Sequence, residues 1–405
     1  MVTTRIRRRV IAVGIAAGMV SLAVAGCGSA AKSAPASTGT AASSDSPYII
    51  GMTDDLSGPL AAYGKWAQQA WTAYFNGVNA AGGINGHKIK LVVLDDASVA
   101  SQAINNVRQL ISQGAILVTG STQSNMCAAV APIATQDKVP IMCTATTQGL
   151  AQGYVFGRIM PGPTAAAPTL QLIQTLDPSA KSVAIMHTDS ADTVQFGSAL
   201  QSLVSSKGLS ASSNTTLPSS PTADVSGPAA SILSKNPSVI GSDMIPPLAV
   251  SMVHALQADR SSIPLVLAVS DYPSLLSLKD QNYYQLWGHA LVNPDSSQPA
   301  VQTLVKDLGT QGVSGIAAIN DGRLVDDYLA AVAIGQALKT CGQTCTRTGL
   351  ATALGNTELN LPGVTEGDWG YTPSRHLPIT AYTAYKYDPT TQQVVVAQPN
   401  LTVGS

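Results

Sequence analysis

Residues 48–96 read YIIGMTDDLSGPLAAYGKWAQQAWTAYFNGVNAAGGINGHKIKLVVLDD. An apolar run, YII, ends in the polar pair Asp54-Asp55, and a Gly/Pro loop follows. From Lys65 onward apolar residues recur at three- and four-residue spacing, the period of a helix with one buried face. The turn Ile84-Asn85-Gly86 then leads into a second run, IKLVVLDD. Runs that stay apolar on both faces, separated by a helix, are the pattern of buried parallel strands. The segment therefore predicts a strand–helix–strand unit.

The same order continues downstream: a helix around ASQAINNVRQLISQG, a strand AILVTG, a helix MCAAVAPIATQD and a strand VPIMC. A second series starts near residue 165. TAAAPTLQLIQTL reads as a helix, SVAIMHTD as a strand, TVQFGSALQSLVSSKG as a helix ended by glycine, SVIGSDM as a strand, PPLAVSMVHALQAD as a helix and IPLVLAVSD as a strand. Two lobes of doubly wound α/β type are expected to follow one another. The later segments HALVNPD and DDYLAAVAIGQALKTCG must rejoin one of them.

The first residues carry four arginines ahead of an apolar stretch that closes on Val24-Ala25-Gly26-Cys27. That stretch is too short and wrongly flanked for a spanning helix and reads as an export signal over 1–26. Its end resembles the lipobox of bacterial lipoproteins, which implies that Cys27 is acylated and anchors the chain to a membrane. Residues 27–46 contain almost nothing apolar larger than alanine, so they are expected to form a disordered tether reaching on the order of 25 Å. The remainder is long enough for two lobes.

A formal net charge of −1 with 11% charged residues leaves no basic surface for nucleic acid. Besides Cys27, an exported chain carries Cys127, Cys143, Cys341 and Cys345, an even number in a compartment that permits disulfides. Cys341-Gly-Gln-Thr-Cys345 reads as a small closed loop, which leaves Cys127 to pair with Cys143. A metal site on this CxxxC is the alternative, but it has no second ligand pair or neighbouring histidine to support it. No cofactor motif is present.

In open α/β sheets, ligands gather beyond the carboxyl ends of the strands. The loops to weigh are DDLSGPLAAYG, GSTQSNM, CTATTQG, HTDSAD, SDMIPP and VSDYPS. LSGPLAAYG, VNAAGGINGHKIKLVVLDDASVASQA and the spacing of GSTQSNMCAAVAPIA before VPIM resemble the Leu/Ile/Val (branched-chain amino acid) type of periplasmic binding protein, the solute receptors of ABC importers. The resemblance implies two Rossmann-like lobes joined by three crossing strands, one built from 47–164 with 291–362 and the other from 165–290 with 363–398, ahead of a tail at 399–405. It also implies a monomer that closes on a small solute and docks on an ABC permease.

By the same resemblance, Ser124 and nearby main-chain N–H groups hold the solute's carboxylate, with Gln123 or Ser121 in its place if the loop is offset by one residue. An anion at a helix N-terminus is independently sound, because the first-turn N–H groups are unpaired and lie at the positive end of the helix dipole. Thr144 and Thr146 are implied to receive the amino group, Asp271 to pair with the ammonium beside Ser270 and Tyr272, and Tyr63 to form a cleft wall. Met244 stands where an aromatic lid is expected and would pad an apolar side chain, and Arg158 offers a second anion partner.

Two other classes compete. A sensor would use the same module through a separate signalling partner. A hydrolase would need Ser124 or Cys127 as nucleophile with a histidine base. His187, near Asp189, is the only histidine facing the cleft by position, and no G-x-S-x-G elbow or H-E-x-x-H helix occurs. An enzyme is therefore not expected.

Overall fold

The computed structural model describes residues 46–58, 60–120, 123–145, 147, 149–158 and 162–403. The export signal, Cys27, most of the tether, Ser121, Thr146 and the last two residues lie outside the described residues. The two-lobed α/β class expected from the apolar strands is the class found.

The first sheet contains β1 (Tyr48–Asp54), β2 (Ile89–Asp95), β3 (Leu117–Gly120), β4 (Ile141–Cys143) and β5 (Val155–Gly157), in the order β2-β1-β3-β4-β5. Every pairing in it is parallel. Its helices are α1 (Ala61–Ala80), α2 (Ala100–Ser112) and α3 (Ser124–Asp137). α2 buries Ala103, Val107 and Leu110, spaced four and three apart, against the sheet.

The second sheet contains β6 (Ser182–Thr188), β7 (Ser210–Leu217), β8 (Val239–Asp243), β9 (Leu265–Leu267) and β10 (Tyr283–Trp287), with α4 (Ala166–Leu176), α5 (Ala191–Ser206), α6 (Ser226–Leu233), α7 (Pro246–Ala258) and α8 (Tyr272–Leu278) between them. Its order β7-β6-β8-β9-β10 repeats the winding of the first sheet. In both sheets the order reverses beside the first strand, which creates a crevice at the carboxyl ends of β1 and β3 and again at those of β6 and β8.

After β10 the chain returns to the first sheet's side as α9 (Pro299–Gly309), α10 (Ile316–Ile319), α11 (Leu324–Cys341) and α12 (Arg347–Leu354), of which α9 and α11 pack on α1. A small antiparallel pair, β11 (Glu358–Leu359) with β12 (Trp369–Gly370), precedes β13 (Ala381–Asp388) and β14 (Gln393–Thr402). β13 runs antiparallel to β10, and β14 antiparallel to β13, extending the second sheet. The chain thus passes between the sheets three times: after β5, after β10 and ahead of β13. HALVNPD belongs to the second passage and forms only a bridge, His289 with Thr365.

α11 is buried on nearly every side, including Asp326 and Asp327 in its first turn. A helix that is apolar all round belongs inside a protein. Each fully buried Leu, Ile or Val on it contributes roughly 1.5–3 kcal/mol, which holds its two acidic residues in place despite their cost. Among the described residues no helix is long and apolar enough to cross a membrane.

Candidate ligand-binding site between the two sheets

At the carboxyl end of β1, Asp54 meets the guanidinium of Arg158, whose Nη1 lies 2.8 Å from Asp54 Oδ2 and 3.2 Å from Asp327 Oδ1. All three side chains are at most 1% exposed. Burial works against the charge on Arg158, but Asp327 and Asp54 outweigh it and hold the guanidinium protonated. Arg158 is therefore not the free second anion partner expected from sequence. A charge taken out of water needs counter-charges, and Arg158 is committed to two.

Next to this triad, Thr53 Oγ1 donates to Asp96 Oδ2 at 3.0 Å and accepts from Asn106 Nδ2 at 3.1 Å. Burial and the neighbouring Asp55 push the Asp96 carboxyl up to about 7. The crevice of the first sheet is thus floored by carboxylates that are already spoken for.

Ser124 is the first residue of α3 and 8% exposed; Gln123 stands ahead of it, its amide reaching Met126 Sδ at 3.5 Å. One turn on, Cys127 is bonded to Cys143 at the end of β4, and a second disulfide joins Cys341 to Cys345. Thr144, just after β4, is 1% exposed, and its hydroxyl has no hydrogen-bond partner. The Cys127 sulfur is consumed by its bond and offers no thiolate. His187 turns its Nδ1 to the Thr188 carbonyl at 2.7 Å, inside the second half.

Tyr63, in the first turn of α1, packs edge-on against Trp66 and lies under Arg323, whose Cζ is 5.2 Å from the ring centroid. Burial raises its phenol pKa; Arg323 lowers it, and Asp271 and Asp321 raise it further. Tyr63 from the first half and Asp271 from the second are therefore within electrostatic reach of one another. Asp271 caps α8, its carboxylate accepting from the Ser274 N–H at 3.4 Å. Gln285 clamps its backbone, taking the Asp271 N–H at 2.7 Å and returning its own amide N–H to the Asp271 carbonyl at 2.9 Å. Trp287 in turn donates its indole N–H to Gln285 at 2.9 Å. Burial and Asp271 together push Asp321 up to about 6.

Met244 is 1% exposed and packs with Leu248, Met252 and Leu275 in the second half's core. It fills that core and pads no ligand, which corrects the expectation from its place after β8. Tyr154 places its hydroxyl 3.4 Å from Thr348.

A cavity of ≈ 60 Å³ opens where the halves meet, lined chiefly by Asp192, Asp243, Ser270, Arg323, Asp326 and Tyr382. Asp192 lies in the first turn of α5 and Asp243 ends β8; Ser270 follows β9; Arg323 and Asp326 open α11. Burial drives Asp243 well above the usual carboxylate range, Asp192 adds to this, and Arg323 and the Gly162 N–H partly oppose it. Burial also raises Asp326, against His289, Arg323 and Arg158. Arg323 and Asp326 were missed from sequence. The available signal was NDGRLVDDY (320–328), four charges within nine residues of a chain that is 11% charged.

Comparison with known proteins agrees with this construction. A family model described as periplasmic binding protein matches residues 47–392, and the chain belongs to that family. A Leu/Ile/Val-binding protein homolog of Brucella melitensis is 29% identical over 114 residues, which is 28% of this chain and 31% of the relative. The chain thus matches under a third of that relative's length. Among solved structures, a solute-binding protein of an ABC transporter from R. palustris, in complex with 4-hydroxybenzoate, aligns with a TM-score of 0.73 at 17% identity over 87% of this chain and 96% of its own. A Leu-, Ile-, Val-, Thr- and Ala-binding protein from Brucella ovis, in a closed conformation, aligns at 0.70 and 15% identity over 84% and 89%. At these identities the two structures show the fold. The family is one of binding proteins, not enzymes.

Proposed function

We propose that the chain is an extracytoplasmic solute-binding lipoprotein. Anchored through Cys27, it captures a small polar organic solute, an amino acid or related carboxylate, between a lobe of 47–164 with 291–362 and a lobe of 165–290 with 363–398. It then delivers that solute to the permease of an ABC importer. The observation that carries this reading is the polar cavity to which both halves contribute, Asp243 and Ser270 from one and Arg323 and Asp326 from the other. A site split in this way is complete only when the halves are together, so a ligand that touches both favours the closed form by its differential contacts.

In this reading Ser124, with the first-turn N–H groups of α3, receives an anionic head. Thr144 and Thr146 border it, Tyr63 forms the wall and Asp271 faces in from the second half. The small carboxylates and amino acids in the names of the R. palustris and Brucella ovis proteins support a solute of this size.

A thermal-shift screen over amino acids, small amides and benzoates tests the proposal. A ligand at one hundred times its Kd adds about 2.7 kcal/mol of stability, so at least one compound is expected to raise the melting temperature clearly. No shift with any compound would overturn solute capture.

A further inference from the structure

We infer that the amino end of the first sheet is a docking face for an anionic lipid surface: exposed Lys88, Arg108, Lys138 and Lys339 meet the head groups of the membrane to which the chain is tethered. This rests on the lipoprotein reading and adds an orientation to it.

The point where the tether joins the fold is fixed. Tyr48 opens β1, and two residues ahead of it the Ser46 carbonyl lies 2.7 Å from His87 Nδ1. His87 Nε2 lies 3.1 Å from the Gln343 carbonyl, and the Tyr48 hydroxyl donates to the Gly342 carbonyl at 3.0 Å. Both carbonyls belong to the loop closed by Cys341–Cys345. The start of β1, the turn before β2 and the end of α11 thus hold the exit at the amino ends of the strands, away from the ends that face the cavity. A tether reaching on the order of 25 Å brings this end of the first half within reach of the bilayer before any other.

Lys88 precedes β2, Arg108 lies just over one turn from the end of α2, Lys138 follows α3 and Lys339 is in the last turn of α11. All four are exposed. Arg347 stands nearby, but its guanidinium is committed to the Ala115 and Ile111 carbonyls at 3.0 Å each. Among the described residues of the helix ends and turns that lead into β1 to β4, Asp137 is the one carboxylate. Asp45, one residue before the exit, lies outside the described residues. In a chain of net charge −1 this is a local excess of positive charge.

Helix carboxyl ends draw cations by themselves, and the matching end of the second sheet does hold Lys181, Lys207 and Lys235. There, however, Asp177, Asp259 and Asp280 are interleaved with them, and the tether does not leave from that end. Lysine and arginine side chains are attracted to an anionic bilayer within a Debye length, about 8 Å at physiological salt. Contact through the first sheet's amino end leaves the cavity between the halves clear of lipid.

The test uses the full acylated chain in vesicles of phosphatidylcholine alone or mixed equally with phosphatidylglycerol. A water-soluble amine-acylating reagent is applied to both, and lysine labelling is read by mass spectrometry. Lys88, Lys138 and Lys339 are expected to react at least three-fold more slowly on the anionic vesicles, with Lys181, Lys207 and Lys235 unchanged. Molar salt, where the Debye length falls to about 3 Å, should abolish the difference. The triple variant Arg108→Gln, Lys138→Asn, Lys339→Gln should label Lys88 equally on both vesicles; should it melt early, the salt series on the parent decides. Equal rates on the two vesicles, slowing in both halves alike, or protection that survives molar salt would each overturn the docking face and leave the lipid anchor standing. The mass of the N-terminal peptide reports acylation of Cys27 separately. An unacylated chain would overturn the anchor, and its flotation with anionic vesicles at low salt would still decide the face: co-flotation lost in the triple variant supports it, and none by the parent overturns it.

Discussion

The hydroxyl of Ser270 donates to the backbone carbonyl of Gly322 at 3.0 Å, away from water. One partner follows β9 of the second sheet and the other precedes α11, so the bond joins the two halves at the cavity's edge. Ser270→Ala leaves that carbonyl without its donor at a cost of about 1 kcal/mol. If closure needs this bond, solute affinity should fall about five-fold. Calorimetry on the variant with a ligand from the screen checks this, and an unchanged Kd would show that the bond persists in the open form.

Arg158 should behave as a structural cation. Arg158→Met removes the charge that Asp54 and Asp327 share, and the loss should be about 3–5 kcal/mol at neutral pH. The penalty should shrink toward pH 5, because Asp327, whose carboxyl burial pushes up to about 7, can then take up a proton. Urea unfolding at both values measures it. A variant as stable as the parent at pH 7 would mean that water reaches the triad.

The course of the chain was legible where strands were apolar throughout, as in β1 and β6, because burial on both faces leaves its mark on nearly every residue. β7, SASSNTTL, carries almost no apolar residue, being a half-exposed edge strand, and β5 is three residues long. Neither kind has a period to detect. The loops around the site were legible from the rule that ligands meet strand ends. What was not legible was which charges those loops would meet: Arg158 finds Asp54 104 residues away, and Arg323 and Asp326 arrive on a helix from the far end of the chain. Met244 looked like cleft lining because it follows a strand, but its side chain is buried among Leu248, Met252 and Leu275.

Asp96 gives the fold a pH dependence with a definite sign. Burial and the neighbouring Asp55 push its carboxyl up to about 7 in the folded chain, from the ordinary 3.8. Between those values the native state keeps a proton that the unfolded state has lost, so stability falls as pH rises from about 4 to 7 and levels off above. Asp321 and Asp327, also raised, add to the same slope, so the informative quantity is the difference between parent and Asp96→Asn. The variant should flatten the curve by about 2–4 kcal/mol over that range. Melting curves at half-unit pH steps measure it; parallel curves would place Asp96 in water.

The Cys127–Cys143 bond ties the first turns of α3, one turn past Ser124, to the end of β4 beside Thr144. It closes a loop with a sequence separation of 16, whereas Cys341–Cys345 spans 4. Replacing the first pair by alanine should cost about 3 kcal/mol and the second about 2. The first replacement should also weaken solute binding, because it frees two site loops from a fixed spacing. Urea unfolding and calorimetry on the two double variants separate these effects, and equal solute affinities in both would detach the bond from the site.

Gly64 sits in the first turn of α1, immediately after Tyr63. Elsewhere in a helix, alanine in place of glycine gains up to about 1 kcal/mol. Here a Cβ would run into the backbone carbonyl group of Asp55, in the loop that follows β1. A backbone atom cannot move aside as a side chain can, so the first turn of α1 must shift instead. Gly64→Ala should therefore lose about 1–3 kcal/mol and carry Tyr63 away from Arg323, which stands 5.2 Å from its ring. Gly309, at the end of α9, has nothing within 4 Å of where its Cβ would lie, so Gly309→Ala should be neutral or slightly stabilising. Unfolding curves of the two variants give the comparison. If both gain stability, the contact between α1 and Asp55 is loose, and Tyr63 is not held in the cleft by it.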